Sequence, residues 1–359
     1  VGSLPIQISE YQAAIVAPVA RRAFLLGGTG QTGRALIPRL QRRGWDVVVG
    51  SRGEHELPAG VEHVQVDRVD TAALEQALGK GTDVLVDFVA FEREQAEQLL
   101  GLKELIGSLV VISTASVYTD RDGRTFEEAK TPEQFPRFPV PINERGQPTV
   151  EPGDANYSTK KAAIEQVLLG QDALPATLIR AGAIYGPGGS VREWYFVKRI
   201  LDERRCVILG DRGRSRFHPV STENLAELIW LSAEHPGKRV LNAGDPGPPT
   251  LLEISRAIAA ALGHDWTEVL LPTPGEPCET PWSCPRPVVL DMTEAAFEVG
   301  YRPVTTYESA VRATCEWLVE ATKDRQWEEL MPRMAEYMQD SFNYDAEDEF
   351  LSGLIKAGC

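Results

Sequence analysis

The sequence predicts an α/β fold: a doubly wound parallel sheet followed by a smaller mixed C-terminal region. Three observations lead there. Short β-branched runs alternate with amphipathic helical stretches from Arg22 onward. Most of these runs are apolar throughout rather than alternating, as strands covered on both faces by helices must be. The first run passes directly into a glycine cluster, GGTGQTG, and a helix begins there. That order of strand, glycine turn and helix opens the Rossmann arrangement.

The elements follow in order. RAFLL is the first strand and TGRALIPRLQRRG the first helix. WDVVVG, VEHVQV, TDVLVDF and SLVVIST read as strands, with TAALEQALG and EREQAEQLLGLKELIG as helices among them. Residues 120–153 are rich in Pro, Glu and Arg without a period and read as an inserted loop, a class of segment that often carries function or motion. A helix bearing YSTKK and a strand PATLIRAGAIYGPGG come next. Beyond Gly189 the pattern changes. REWYFVKRI, RCVILG and RFHPV read as short strands, and TENLAELIWLSAE and LLEISRAIAAALG as helices. The tail from Tyr307 reads as helical, for packing or dimerisation, and the acidic NYDAEDEF as solvated. The expected domains are a Rossmann unit at 22–188 with its inserted loop, a substrate-binding region at 189–303 interleaved with the last sheet strands, and a helical extension at 304–359.

Composition narrows the classes of function. Of 359 residues, 43% are hydrophobic and 25% charged, ordinary for a soluble globular chain. A formal net charge of −15 disfavours nucleic acid or an anionic membrane as a partner held by general attraction. No apolar run approaches membrane-spanning length, and VGSLPIQISEYQAAIVAPVARR carries its charges after its apolar part, unlike a signal peptide. Cys206, Cys278, Cys284, Cys315 and Cys359 are odd in number and scattered. No His or further Cys completes a zinc site around Cys278 and Cys284, so no metal is expected. Idle thiols in a reducing cytoplasm fit best, with a small molecule as substrate and a homodimer left open.

The glycine loop points to a dinucleotide. Gly27, Gly30 and Gly33 are spaced three apart, with Gln31 and Thr32 between them. Small residues there let the backbone approach a pyrophosphate while the following helix aims its N-terminus at the negative charge. Cofactor choice belongs to the end of the second strand, where an acidic residue would hold the ribose hydroxyls of NAD. Here Gly50, Ser51 and Arg52 stand in that place. Arg52 suits the 2′-phosphate of NADP, and Ser51 suits a hydrogen bond to it, so NADP is favoured over NAD. Asp67, after the third strand, is placed for the adenine amino group.

Beside such a site, YSTKK gains a chemistry. Tyr157 can pass a proton to or from an alcohol while hydride moves at a nicotinamide ring. Lys161, one helical turn on, would hold the nicotinamide ribose and lower the phenol's pKa together with the cofactor's charge. A hydroxyl opposite the tyrosine comes from ISTASVY, which offers Ser113, Thr114 and Ser116.

Taken together, GGTGQTG, ISTASVY, Tyr157 with Lys161, IRAGAIYGPG and FHPVSTENLAELI resemble the extended short-chain dehydrogenase/reductases, the group that includes NAD-dependent epimerases and dehydratases of nucleotide sugars. The motifs stand in family order across about residues 22–320. The resemblance implies Thr114 as the catalytic hydroxyl, with Ser113 and Ser116 as competitors. Departures bear on substrate. Ala115 and Ser116 stand where family dehydratases carry an Asp-Glu pair, Ala183 where sugar-nucleotide members often carry Asn, and Arg216 runs into Phe217 and His218 without an intervening Asp. The expected activity is an NAD(P)-dependent oxidoreductase acting on a secondary alcohol or ketone of a small polar, sugar-like metabolite. The alternatives are an epimerase that retains NAD and a non-catalytic dinucleotide sensor. Ser116, Arg192, Trp194, Tyr195, Arg216 and His218 are the substrate-contact candidates.

Overall fold

The computed structural model describes residues 20–356, apart from 54–56, 190, 274, 276–278 and 339–340. Residues 1–19, Cys278 and Cys359 therefore lie outside the described residues. The chain runs β1 (Arg22–Leu26), α1 (Gln31–Arg42), β2 (Asp46–Ser51), β3 (Glu62–Gln65), α2 (Thr71–Leu78), β4 (Val84–Asp87), α3 (Arg93–Gly101) and β5 (Leu109–Thr114). After the long loop come α4 (Tyr157–Leu169), β6 (Ala176–Ala181), β7 (Ala183–Tyr185), α5 (Trp194–Leu201), β8 (Cys206–Leu209), β9 (Pro219–Ser221), α6 (Thr222–Glu234) and β10 (Arg239–Ala243). The remainder is α7 (Leu251–Leu262), β11 (Thr267–Leu270), α8 (Thr293–Val299), α9 (Tyr307–Ala321), α10 (Trp327–Leu330), α11 (Pro332–Tyr337) and α12 (Tyr344–Lys356).

Seven strands form one sheet in the order β10-β6-β5-β4-β1-β2-β3, and every neighbouring pair is parallel. The chain order reverses between β1 and β4, which is where a doubly wound sheet opens its crevice. Alternate residues of each strand face opposite sides. Ala23, Leu25, Val47, Val49, Val84 and Val86 pack on one face against Leu36 and Ile37 of α1 and Leu225 and Leu228 of α6. Phe24, Leu26, Val48, Leu85 and Val111 pack on the other against Leu74 of α2, Leu99 of α3 and Ile164 of α4. Burial on both sides is why these strands read as unbroken apolar runs.

Several expectations need correction. REWYFVKRI forms helix α5 rather than a strand. Its eight residues open on Trp194, Tyr195, Phe196 and Val197, aromatic and β-branched side chains that favour strands, and tertiary packing overrides that preference. PATLIRAGAIYGPGG is two strands. A side chain at Gly182 would begin 2.3 Å from the His218 carbonyl, and this close approach diverts the chain so that β7 pairs with β9 instead of continuing the main sheet. The acidic NYDAEDEF is not simply solvated: most of it lies in α12, where Glu347 is buried against Arg199 and Asp348 pairs with Arg204. RVLNA, which we did not read as a strand, is the edge strand β10.

The 120–153 loop contains no helix or strand among its residues, yet it is tied down. Val150 donates to the Val117 carbonyl at 2.8 Å, and Asp291 donates to the Ile142 carbonyl at 2.8 Å. Phe126, Phe135 and Phe138 gather around Ile142, Tyr118 and Leu290 beneath it.

Candidate active site

The glycine loop sits between β1 and α1 at the reversal point. Gly27 takes φ +78, a conformation that L side chains avoid, and its N–H donates to the Gly50 carbonyl at 2.8 Å. A Cβ at Gly33 would lie 2.1 Å from the Gly28 carbonyl oxygen, so only glycine lets α1 start this close to the turn. Gly30 differs. It has an ordinary φ of −74, and a Cβ there would meet no protein atom nearer than 3.9 Å. The space it leaves open belongs to the cleft. Thr32 is buried in the helix, whereas the Gln31 side chain reaches toward Gly189, with its Oε1 buried and unpartnered. No acidic residue occupies the first turn of α1, so its N–H groups favour an anion.

Three cavities adjoin this loop, and two of them take in the predicted residues beyond it. One, of about 450 Å³, is lined by Gly27, Gly30, Gly50, Ser51, Arg52 and Asp67. Its size and position suit the adenosine half of a dinucleotide. The Ser51 hydroxyl lies 2.9 Å from His63 Nε2, and Asp67 is exposed, accepting from the Val69 N–H at 3.1 Å. Our reading of the sequence missed Arg68, Phe91 and Gln95, which also line this cavity. Arg68 is held by a buried ion pair with Asp87, and Gln95 accepts from the Phe91 and Glu92 N–H groups. The signal available was positional, since these residues follow the C-terminal ends of β3 and β4, where open α/β sheets bind ligands.

The second cavity, of about 360 Å³, runs from Gly27, Gly30 and Gly33 to Thr114, Tyr157 and Lys161. Thr114 ends β5, and Tyr157 begins α4. That start is fixed by Asn156, whose side chain accepts from the Thr159 N–H at 2.9 Å while the Thr159 hydroxyl accepts from the Asn156 N–H at 3.0 Å. Tyr157 keeps 44% of its surface exposed, yet its hydroxyl lies against Thr114. Burial raises the phenol's pKa above its ordinary value, while the neighbouring Thr114 hydroxyl lowers it, the charge of Glu127 raises it and the charge of Arg333 lowers it.

Lys161 departs from expectation. It is buried, and its Nζ donates to the carbonyls of Ala90 at 2.6 Å and Ile112 at 2.7 Å, 5.9 Å from the centre of the Tyr157 ring. Burial brings this amine down to about 8, against the pull of Asp87 and Glu165. The protein's own groups therefore leave the phenol protonated at neutral pH, and the expected lowering would have to come with the charge of the cofactor.

The three competing hydroxyls separate clearly. Ser113 is buried and donates to Glu165 Oε1 at 2.5 Å, and that carboxylate is also held by Arg180. Thr114 faces the cavity. Ser116 stands behind it, its Oγ accepting from Thr114 at 3.1 Å and from Ser158 at 2.9 Å.

The substrate-contact candidates do not converge. Trp194 is buried with its ring 5.7 Å from that of Trp327, and Tyr195 is buried under Arg199. His218 is also buried, with Nδ1 accepting from the Leu290 N–H and Nε2 set 2.7 Å from the Asp245 carbonyl. All three are committed to holding the frame, because an apolar or aromatic group near a site looks the same in sequence whether it faces in or out. Arg192 stacks on Phe217 at 4.4 Å, and Arg216 is exposed. Neither they nor Ser116 line the cavity of Thr114 and Tyr157.

Residues 23–244, more than half of the chain, match the family described as NAD dependent epimerase/dehydratase. The chain belongs to that family. As a member it is an enzyme of nicotinamide-dinucleotide chemistry, and α7–α12 lie beyond the matched residues. Solved structures share the fold at low identity. The epimerase Mth375 of Methanothermobacter thermautotrophicus has a TM-score of 0.65 at 14% identity, over 87% of this chain and 94% of its own. The Bordetella bronchiseptica enzyme WbmG, in complex with NAD, has 0.64 at 19%, over 86% and 96%. A Thermotoga maritima UDP-glucose 4-epimerase with UDP-glucose has 0.62 at 18%, over 84% and 99%. None of the curated proteins compared with the chain matches it. Among the described residues, no helix is long and apolar enough to cross a membrane.

Proposed function

We propose that this family member transfers hydride between a nicotinamide dinucleotide, NADP(H) by preference, and a secondary alcohol or ketone carbon of a small polar metabolite. One observation carries the reading: Thr114 and Tyr157, brought together from β5 and α4, share a cavity with the glycine loop. The loop residues fit the cofactor. Gly30 leaves open space, and the start of α1 offers unpaired N–H groups with no acidic side chain nearby. When bound, the nicotinamide supplies or accepts the hydride.

The chain's residues do the rest. Gly27, Gly30 and Gly33 admit the diphosphate against the N-terminus of α1. Ser51 and Arg52 stand at the adenosine end, where β2 ends without a carboxylate, and this favours a 2′-phosphate over a bare ribose. The Thr114 hydroxyl, which donates to Ser116 in the structure, would turn its O–H to the substrate oxygen. Tyr157, protonated at neutral pH, gives its proton to that oxygen as the carbonyl is reduced and takes it back in the reverse direction. Lys161 braces the loop after β4 against the end of β5 through Ala90 and Ile112, and the third N–H of its ammonium would serve a ribose hydroxyl.

A second reading is an epimerase that keeps NAD bound and reduces the opposite face of its own keto intermediate. The family and the NAD-bound and sugar-nucleotide-bound neighbours favour it. The test is a panel of ketones and sugar ketones with NADPH and NADH, followed at the nicotinamide absorbance. Stoichiometric cofactor consumption supports the reductase. Substrate interconversion without net consumption supports the epimerase. Turnover that survives in Tyr157→Phe sinks both.

A further inference from the structure

The C-terminal extension, beyond the family match, reaches into the reaction cavity. Its anchoring is strong on both sides of α11. Met331 and Met338 are almost fully buried in an aromatic and aliphatic cluster with Trp194, Tyr195 and Leu318. Trp327 of α10 packs at a tilt against Trp194 and edge-to-face against Phe342, with ring centres 5.7 Å apart in each pair. Farther on, α12 is clamped to the α5 region by the buried Arg199–Glu347 pair and by Arg204 with Asp348. The short α11 is thus held at both ends, and Pro332 fixes its first turn.

Arg333, two residues after Met331, lines the cavity together with Gly27, Gly30, Thr114 and Tyr157. It is exposed and makes no ion pair or hydrogen bond with the described residues. Two arginines of the α5 region, Arg199 and Arg204, are by contrast engaged with carboxylates of α12. Among the described residues, the lining includes no carboxylate. The only other cation is Lys161, buried and donating to two carbonyls. The charge of Arg333 also lowers the pKa of the Tyr157 phenol, which lines the same cavity. A third cavity, of about 760 Å³, brings Arg325, Asp324 and Trp317 of the same extension beside Gly30 and Gln31, so the extension borders the glycine loop there as well.

We propose that Arg333 is the anion-recognition residue of the reaction cavity, engaging a phosphate or carboxylate on the molecule seated against Thr114 and Tyr157. The inference rests on the proposed function. The oxyanion has two sources, the diphosphate of the cofactor or an anionic group of the substrate. A planar guanidinium suits either through paired N–H donors.

The test uses the full chain and its Arg333→Gln and Arg333→Lys variants, with equal thermal stability checked first. Calorimetry measures NADP⁺ affinity, then the affinity of inorganic phosphate for the NADP⁺-loaded protein. Loss of NADP⁺ affinity by roughly tenfold or more in Arg333→Gln, partly restored in Arg333→Lys, assigns the cofactor diphosphate. Unchanged NADP⁺ affinity with a similar loss of phosphate affinity assigns the substrate anion. Affinities for both within about twofold of the parent overturn the proposal. Should the parent bind no dinucleotide, the functional reading fails separately, and a phosphate affinity that does or does not depend on Arg333 still decides the residue's role.

Discussion

Thr114, the last residue of β5, and Tyr157, the first residue of α4, line the same cavity, which begins at the glycine loop, and the Thr114 hydroxyl lowers the pKa of the Tyr157 phenol. The sheet edge and the helix start that hold them are separated by the whole 120–153 loop. Their meeting is what turns a common tyrosine–lysine spacing into a site.

The pair should divide from its neighbours on substitution. Tyr157→Phe and Thr114→Val are expected to lower turnover by roughly 10²–10⁴-fold while leaving dinucleotide affinity and thermal stability near the parent's. Ser113→Ala should do the reverse, costing about 1 kcal/mol of stability through its lost bond to Glu165 with turnover largely kept. Steady-state kinetics and thermal melts on the three variants check this.

Two glycines make a sharper contrast. Gly33→Ala drives a methyl into the Gly28 carbonyl, so both stability and dinucleotide binding should fall. Gly30→Ala finds room within the protein, so its melting temperature should match the parent's while dinucleotide affinity drops. Equal affinity in Gly30→Ala would mean that nothing occupies the space beside that residue.

Glu193 gives a dependence on pH away from the cleft. It is fully buried, its Oε1 accepts from the Tyr307 hydroxyl at 3.0 Å, and Oε2 has no partner. Burial raises its pKa from 4.5 to about 7. The folded state therefore holds the proton longer than the unfolded state does, and stability is lost as pH rises from about 4.5, levelling above about 7. Glu193→Gln keeps an acceptor for Tyr307 and removes this slope. Its unfolding free energy, measured by denaturant melts against the parent's, should gain on the order of 3 kcal/mol between pH 4 and pH 8. A difference that stays constant with pH would remove Glu193 as its origin.

The clamp on the extension makes a mechanical claim. Glu347→Ala strands the buried Arg199 guanidinium, a change expected to cost about 3–5 kcal/mol locally. Hydrogen exchange should rise first in α10–α12, and NADP⁺ and phosphate affinities should shift in the same direction as in Arg333→Gln. Protection unchanged across that segment would show that α12 does not hold α11 in place.

The main sheet was legible because parallel strands covered on both faces leave uninterrupted apolar runs, and Phe24, Val48 and Val111 are such residues. The glycine loop and the Thr114–Tyr157 pairing were legible because steric need and hydroxyl chemistry restrict the residue types allowed. Helix α5 was not, since it is short and opens on Trp194, Tyr195, Phe196 and Val197, residues that favour strands. Lys161's carbonyl partners and the reach of Arg333 were not legible either. Both depend on how segments distant in the chain pack together, and an arginine in a helical tail carries no mark of the cavity that it meets. Trp194 and His218 were chosen for their chemistry, and packing has used that chemistry elsewhere.

Calorimetric titration with NADP⁺ and NAD⁺, on protein first checked for retained cofactor, tests the central claim most directly. The expected result is one binding site per chain, tighter for NADP⁺, with Arg52→Ala weakening NADP⁺ more than NAD⁺. Binding of neither nucleotide to a cofactor-free, folded preparation would contradict the assignment of the two cavities as a dinucleotide cleft.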